Sequence, residues 1–266
     1  SDGFTAGSDH NTGGRSGDSY VAWCWKAGGD AVTNNHGTIP AQVSANQTAG
    51  FSIVSWTGNG TNGATLGHGL GKRPSWVLCK DRDVVKSWYV WVDDLTGTSV
   101  NNGMTFNTNS GVAGFGHGHF TSLNDSTMTL TQGTSSLNNH NADDTEYIAY
   151  CWAEIEGFSK FGSYVGNTSA DGPFVYCGFK PAWIMIKVTT ATNSWVIYDS
   201  SRSSTNMVNN RLRADLSNVE DTHNGVDFLS NGFKLRDAGS SSTNASSQTF
   251  IFAAFAESPF QTANAK

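Results

Sequence analysis

The segment Tyr20-Val-Ala-Trp-Cys-Trp25 returns as Tyr147-Ile-Ala-Tyr-Cys-Trp152 and, in degraded form, as Phe250-Ile-Phe-Ala-Ala-Phe255. The chain is therefore built from copies of one unit. Pro74-Ser-Trp-Val-Leu-Cys-Lys80 followed by Trp88-Tyr-Val-Trp-Val-Asp93 is answered by Pro181-Ala-Trp-Ile-Met-Ile-Lys187 followed by Trp195-Val-Ile-Tyr-Asp199, both at an offset of 107 positions. That period far exceeds the ~20–50 residues of solenoid or propeller repeats, so each copy is predicted to be a whole domain with its own core.

The order within a copy is constant. A strand ends in an aromatic residue and Gly-Asn (Trp56-Thr-Gly-Asn59; Tyr164-Val-Gly-Asn167), followed by a Gly-rich turn, the Pro-x-Trp strand, the second Trp strand and a long variable loop. A closing hairpin follows, with Ser126–Leu130 or Asn231–Leu235 as first arm and Tyr147–Trp152 or Phe250–Phe255 as second. Residues 1–29 match only that hairpin, so the chain begins inside a copy whose front half is absent. The tract 30–49, beyond Gly28-Gly29 and carrying Asn34-Asn35 and Thr38-Ile-Pro40, reads as an extended linker. The organisation predicted is an orphan closing β-hairpin at 1–29, a linker at 30–49, and two tandem domains at 50–157 and 158–266. An orphan hairpin has bare edges and must pair with a neighbouring domain or another chain.

The class is all-β. Phe51–Trp56, Trp76–Cys79, Trp88–Val92, Met128–Leu130, Tyr147–Trp152, Phe174–Cys177, Trp183–Val188 and Trp195–Tyr198 are short β-branched or aromatic runs bounded by Gly, Asn and Asp. Asn-Gly pairs at 62, 102 and 231 read as turns, and short strands at close spacing predict antiparallel β-sandwich or jelly-roll domains rather than parallel sheets. Only Asn209–Asn218 offers room for a short turn of helix. Charged residues are 14% and aromatic residues 12%, which suits large rings inside and polar turns outside.

A net charge of −6 without a basic stripe argues against nucleic acid as a partner. The longest apolar run, Phe250–Ala256, is too short for a membrane-spanning helix, so no membrane insertion is predicted. Cys24 and Cys151 occupy the same place in successive copies and Ala254 replaces them in the last, whereas a disulfide framework would recur with the repeat. Free, mostly buried thiols at Cys24, Cys79, Cys151 and Cys177 are predicted.

Chemistry-bearing patterns are sparse. In Phe115-Gly-His-Gly-His119, His117 and His119 could share one strand face and hold a metal, or stand as solvated imidazoles in a Gly-rich loop; the second copy has no counterpart. Asp81 and Asp83, with Asp93-Asp94, could offer oxygens to calcium or serve as ordinary turn residues. Glu154 and Glu156 form a close pair, but Glu257 echoes Glu154, which fits a repeated structural contact better than a unique catalytic acid. No nucleophile elbow, phosphate loop or zinc-protease motif occurs, so no catalytic residues and no cofactor are predicted, calcium excepted as a weak candidate. Trp76 and Trp183, and Trp88 and Trp195, are equivalent and predicted to fill the same slot in two cores. Trp23, Trp56, Trp91 and Trp152 are exchanged for other aromatic residues between copies, which also reads as packing. A ligand site would be placed in the variable loops 96–121 and 200–227.

Phe51-Ser-Ile-Val-Ser-Trp-Thr-Gly-Asn-Gly60, Gly67-His-Gly-Leu-Gly71, Tyr20–Gly29, Ala153-Glu-Ile-Glu-Gly-Phe-Ser-Lys-Phe-Gly-Ser-Tyr164, Phe228–Arg236 and Ala254-Phe-Ala-Glu-Ser-Pro-Phe260 together carry a resemblance. Over nearly its whole length the chain resembles a repeat domain of large tail fibre or spike proteins of marine and freshwater bacteriophages, associated with laminin-G-like (concanavalin-like) jelly rolls. The resemblance transfers no site residues. It implies a virion component that builds the fibre or meets a host surface glycan or receptor, with other tail proteins as partners and a homotrimer as one assembly. The function expected is a non-enzymatic structural or adhesion module; the competing classes are a glycan-degrading depolymerase, which needs two carboxylates at catalytic separation, and a bacterial carbohydrate-binding module.

Overall fold

The computed structural model describes residues 3–7, 13–93, 102–114, 120–131, 140–239 and 241–257. Among them are nineteen strands, all paired antiparallel, and no α-helix. The first unit comprises β1 (Val32–Asn34), β2 (Ala41–Asn46), β3 (Phe51–Thr57), β4 (Thr65–Gly67), β5 (Trp76–Asp81), β6 (Tyr89–Val92), β7 (Asn102–Thr105), β8 (Ala113–Gly114), β9 (Phe120–Leu123), β10 (Thr127–Leu130) and β11 (Glu146–Trp152). They form an eight-stranded sheet in the order β1-β2-β3-β11-β5-β6-β7-β8 and a three-stranded sheet in the order β4-β10-β9. Val54, Trp56, Trp91 and Ala149 of the large sheet and Leu66, Met128 and Leu130 of the small one share one buried cluster between the layers.

The second unit comprises β12 (Ser159–Val165), β13 (Phe174–Tyr176), β14 (Trp183–Val188), β15 (Val196–Asp199), β16 (Val208–Arg213), β17 (Asp221–Leu229), β18 (Gly232–Leu235) and β19 (Thr249–Phe255). Its order is β12-β19-β14-β15-β16-β17-β18-β13, the first unit's layers joined into one sheet. That sheet folds over at the irregularity between Val208 and Asn210, so that Val175, Phe228 and Phe233 meet Ile184, Tyr198 and Phe252 in a second core.

Sequence reading and structure part at several places. The closing hairpins are not hairpins. β10 pairs with β4 and β9, whereas β11 lies between β3 and β5, so the chain crosses from one layer to the other, and β18 and β19 repeat the crossing. The tract 30–49 is not a linker, because β1 and β2 extend the large sheet beyond β3, with Val43 beside Val54 and Ala45 beside Ser52. The described residues of 1–29 form no strand. In both complete copies the equivalent of Tyr20–Trp25 is an inner strand held from both sides; here no strand pairs with the segment among the described residues, and its Trp23 and Trp25 side chains pack on Trp183. Asn209–Arg213 belongs to β16 rather than to a helix, and Asn102-Gly103 lies inside β7 rather than at a turn. All four cysteines are free, with Cys24 exposed and the other three buried.

The repeated Trp residues also have a different job from the one predicted. Trp76, Trp183 and Trp195 point away from their own sandwiches, into a third apolar cluster where the outer faces of the two large sheets meet. Trp88 is half-buried and stacks on Tyr150. This explains why Trp183–Ile186 and Phe250–Phe255 read as continuous apolar runs. Such a run fits a strand buried on both faces, and β14 is buried at every position. Trp195 contacts Trp76 at 5.9 Å and Phe106 at 5.3 Å, and its indole N–H donates to Thr105 O. Asn193 N donates to Asn109 O, and Val112 N to Thr189 O, so backbone bonds cross the joint too. Trp25 inserts an edge against Trp152, Trp183 and Phe255, while the Trp23 indole donates to Asp199.

The Gly-Asn signature is a latch. A Cβ on Gly58 would lie 2.1 Å from Ala142 O, and one on Gly166 2.2 Å from Ala245 O, so neither position admits a side chain. The next residue donates its backbone N–H to a buried Asn, Asn59 to Asn141 and Asn167 to Asn244. Nearby, the Trp56 indole donates to His140 O, and the Tyr164 hydroxyl to Thr243 O.

Lys187 is fully buried at the joint, where its ammonium donates to Val188 O and to Asn109 O of the first unit. Burial lowers its pKa to about 8, against the opposing pull of Asp215. Between about 8 and the ordinary 10.5 the unfolded chain holds this proton and the folded chain does not, so stability rises with pH across that window. Lys187→Met removes this contribution. The stability of the wild type relative to Lys187→Met is expected to increase between pH 8 and pH 10.5 in urea unfolding; a difference independent of pH would contradict the depressed lysine.

Candidate functional site

The two units differ most at one end of the sandwich. In the first, β2 pairs with the outer edge of β3, and the chain leading into β2 closes against β4: Ile39 N donates to Thr65 O, and Thr38 N to Thr65 Oγ1. Ile39, Ala41 and Val43 are thereby part of the first core. In the second, β12 and β13 stand in the places of β3 and β4 and are the two ends of the sheet order, with no strand beyond either among the described residues. The connection from β11 to β12 is short, and nothing equivalent to residues 30–49 precedes β12.

A cleft of about 630 Å³ lies at that open end. β12 supplies Lys160, Gly162 and Tyr164, which share the inner face because they pair with Ala254, Phe252 and Phe250. Gly162 stands where the first unit has Val54, and Lys160 where it has Ser52, so the second unit gives up an apolar wall exactly where its neighbour has one covered. β13 supplies Phe174 and Tyr176, residues 46% and 63% exposed, with Val175 turned inward between them. The corresponding outward positions of β4 are Thr65 and Gly67, read from the matching pairs Leu66 with Met128 and Val175 with Phe233. The first unit contributes Ser75, Asp93 and Glu154 to the rim. Each rim carboxylate is held by a basic side chain: Asp93 lies 2.7 Å from Arg73, and Glu154 2.8 Å from Lys160.

Of the residues singled out in the sequence, Asp93 and Glu154 line the cleft, whereas Asp81 and Asp83 do not. His117 and His119 fall outside the described residues, as do residues 94–101. Of the loop 96–121, residues 106–112 dock on the second unit, and the loop 200–227 contains β16 and most of β17. There Asp221 takes bonds from Arg211 and Arg213, chiefly Arg211, which hold its carboxyl far below the usual range. Asp81 is engaged within the chain: its side chain is buried, bonds the Lys86 ammonium at 2.9 Å and accepts the backbone N–H groups of Asp83 and Val84. Asp83 accepts the Glu146 N–H. Asp199 has the same turn-closing role, with Arg202 as its cation. His68, in the Gly-His-Gly-Leu-Gly stretch, is structural: Nδ1 accepts the Leu70 N–H, so the proton sits on Nε2 and goes to Asn124 O, and burial lowers its pKa. Among the described residues no three His, Cys, Asp or Glu converge on a metal-sized site.

A second cavity, of about 410 Å³, lies in the joint under Trp23 and Trp25 and is walled by Trp76, Trp152, Trp183 and Phe255. It presents rings and aliphatic groups, with Arg213 and Asn218 at its margin. Sequence reasoning passed over Phe174 and Tyr176 because it weighed aromatic residues that recur. The available signal was the reverse one: outward positions of equivalent strands where one copy has an aromatic residue and the other a small one.

Residues 1–259 match the family described as Domain of unknown function (DUF7483). The chain belongs to that family. No curated protein and no solved structure matches it. The family description assigns no ligand, so the cleft is defined by its geometry alone.

Because Asp81 and Asp83 are already bonded within the chain, added calcium is expected to gain no differential hold on the folded state at that turn. The midpoint of thermal unfolding is expected to be the same in calcium and in chelator; a midpoint raised by calcium and restored by chelator, and lost in Asp83→Asn, would contradict this.

Proposed function

We propose that the chain is a non-enzymatic structural or adhesion module of a phage tail fibre or spike, whose working surface is the open end of the second sandwich. It would act in the virion, meeting other fibre subunits or a host cell-surface glycan. The carrying observation is the contrast between copies: one has its end sealed by its own chain, while the other keeps the same end open, with two exposed rings and ion-paired rim charges. The phage setting rests on the family resemblance of the sequence motifs. A depolymerase is disfavoured because Asp93 and Glu154, the two carboxylates at the cleft, are each engaged by a cation instead of being aimed at a bond between sugars.

A glycan is the second reading, favoured by Phe174 and Tyr176, since flat exposed rings beside hydrogen-bonding groups suit the apolar face of a sugar. Glycan-array binding paired with an assay for reducing-end release separates the classes. The module reading expects no sugar release. If a glycan binds, Phe174→Ala or Tyr176→Ala should weaken it about tenfold, the equivalent of roughly 1.4 kcal/mol of lost ring contact. Sugar release by the purified chain, abolished in Glu154→Gln, would overturn the non-enzymatic reading.

A further inference from the structure

We infer that the open end of the second sandwich is a strand-accepting slot, filled in the assembled protein by an extended segment of another polypeptide that adds to β12 as β2 adds to β3. The inference rests on reading the cleft as a contact surface and names its partner.

The chain itself contains the filled form of the slot. In the first unit Ala41–Asn46 pairs with β3 through Gln42 with Ser55, Val43 with Val54, Ser44 with Ile53, Ala45 with Ser52 and Asn46 with Phe51. Ile39, Ala41 and Val43 complete that core, and Ile39 bridges to β4. Among the described residues the second unit has the same strand order without an equivalent of β2, and its cleft is bounded by β12 and β13, the equivalents of β3 and β4. Gly162 in place of Val54 leaves room for an incoming side chain at the very position that Val43 covers.

The backbone of β12 is poised to receive a strand. Gly166 N donates to Gln248 O, and Ala256 N to Phe158 O, both on the β19 side. By the alternation of an antiparallel ladder, Phe161, Ser163 and Val165 then turn their N–H and C=O groups away from β19, toward the open edge. These residues correspond to Ile53, Ser55 and Thr57, two of which meet Ser44 and Gln42 of β2. Val165, Phe174 and Tyr176, large and exposed, flank the slot from both sides.

The occupant is a different polypeptide rather than β12 of a second copy. Lys160 points inward from this edge strand, a placement that discourages like strands from pairing edge to edge. A donor of small apolar residues alternating with polar ones, as in Ile39-Pro-Ala-Gln-Val-Ser-Ala45, puts its small groups over Gly162 and its backbone on Phe161 and Ser163. Glu154 already neutralises Lys160, so the donor needs no acidic residue there.

The test uses the whole chain and a synthetic peptide of residues 36–48, the segment that fills the first unit's slot. Peptide binding is expected by calorimetry, with new hydrogen-exchange protection at the Phe161, Ser163 and Val165 amides. Ser163→Pro removes an outward N–H and is expected to weaken binding at least tenfold. Should that variant fold poorly, the peptide carries the same test: N-methylation at Ser44 blocks a ladder bond and should abolish binding, whereas N-methylation at Val43, whose N–H faces away from the acceptor, should not. No binding, binding insensitive to the Ser44 methyl, or protection confined to β3 would overturn the slot. So would concentration-dependent dimerisation abolished by Ser163→Pro, which would make a second copy the occupant. A failed peptide without sugar release leaves the module reading standing; sugar release removes that reading independently of the peptide.

Discussion

The structure depends on the contact between the outer faces of its two large sheets. A β-sandwich ordinarily buries one face of each sheet and leaves the other to water. Here β6, β14, β15 and β19 are buried on both sides, because the faces that would meet water meet the neighbouring unit through Trp76, Trp183, Trp195 and Phe255. Rings of this size bury large areas and prefer the tilted and edge contacts seen between Trp76 and Trp195 and between Trp25 and Trp183. The orientation is then fixed by directional bonds: the Trp195 indole on Thr105 O, and the backbone pairs that join 109–112 to 189–193. The cleft inherits its geometry from this joint, since Asp93 and Glu154 reach it from one unit and Phe174 and Tyr176 from the other.

Duplication explains both the economy of the fold and its main point of difference. The two copies keep the same strand order and the same Gly-Asn latch. They diverge where one is capped by residues 32–46 and the other is not. An uncapped sheet edge is costly in a soluble protein unless it is guarded or used. Lys160 guards it; the exposed rings of β13 and the space beside Gly162 give it something to receive.

The fold class was legible in the sequence because aromatic and β-branched runs bounded by Gly and Asn have few alternatives to short antiparallel strands. Every run read as a strand from Phe51 to Tyr198 overlaps one in the structure. What could not be read was which layer each strand joins. Local pattern is the same for a hairpin arm and for a strand that crosses to the facing sheet, so β10 and β11 looked like partners. β1 and β2 escaped because Thr38-Ile-Pro40 and the surrounding Asn and Gly are turn chemistry, and the strands between them are held by pairing with β3 rather than by propensity. The Trp repeats were read as core because recurrence signals burial, yet burial against a neighbouring unit leaves the same trace. Phe174 and Tyr176 were legible only by comparing the copies for what they do not share.

Equilibrium urea unfolding of the wild type and of Trp195→Ala tests the joint most directly. If the joint holds the units together, the wild type unfolds in one cooperative transition, while Trp195→Ala loses about 3–5 kcal/mol and resolves into two transitions as the units uncouple. Two separate transitions in the wild type, with the substitution shifting only one of them, would contradict a shared core between the sandwiches.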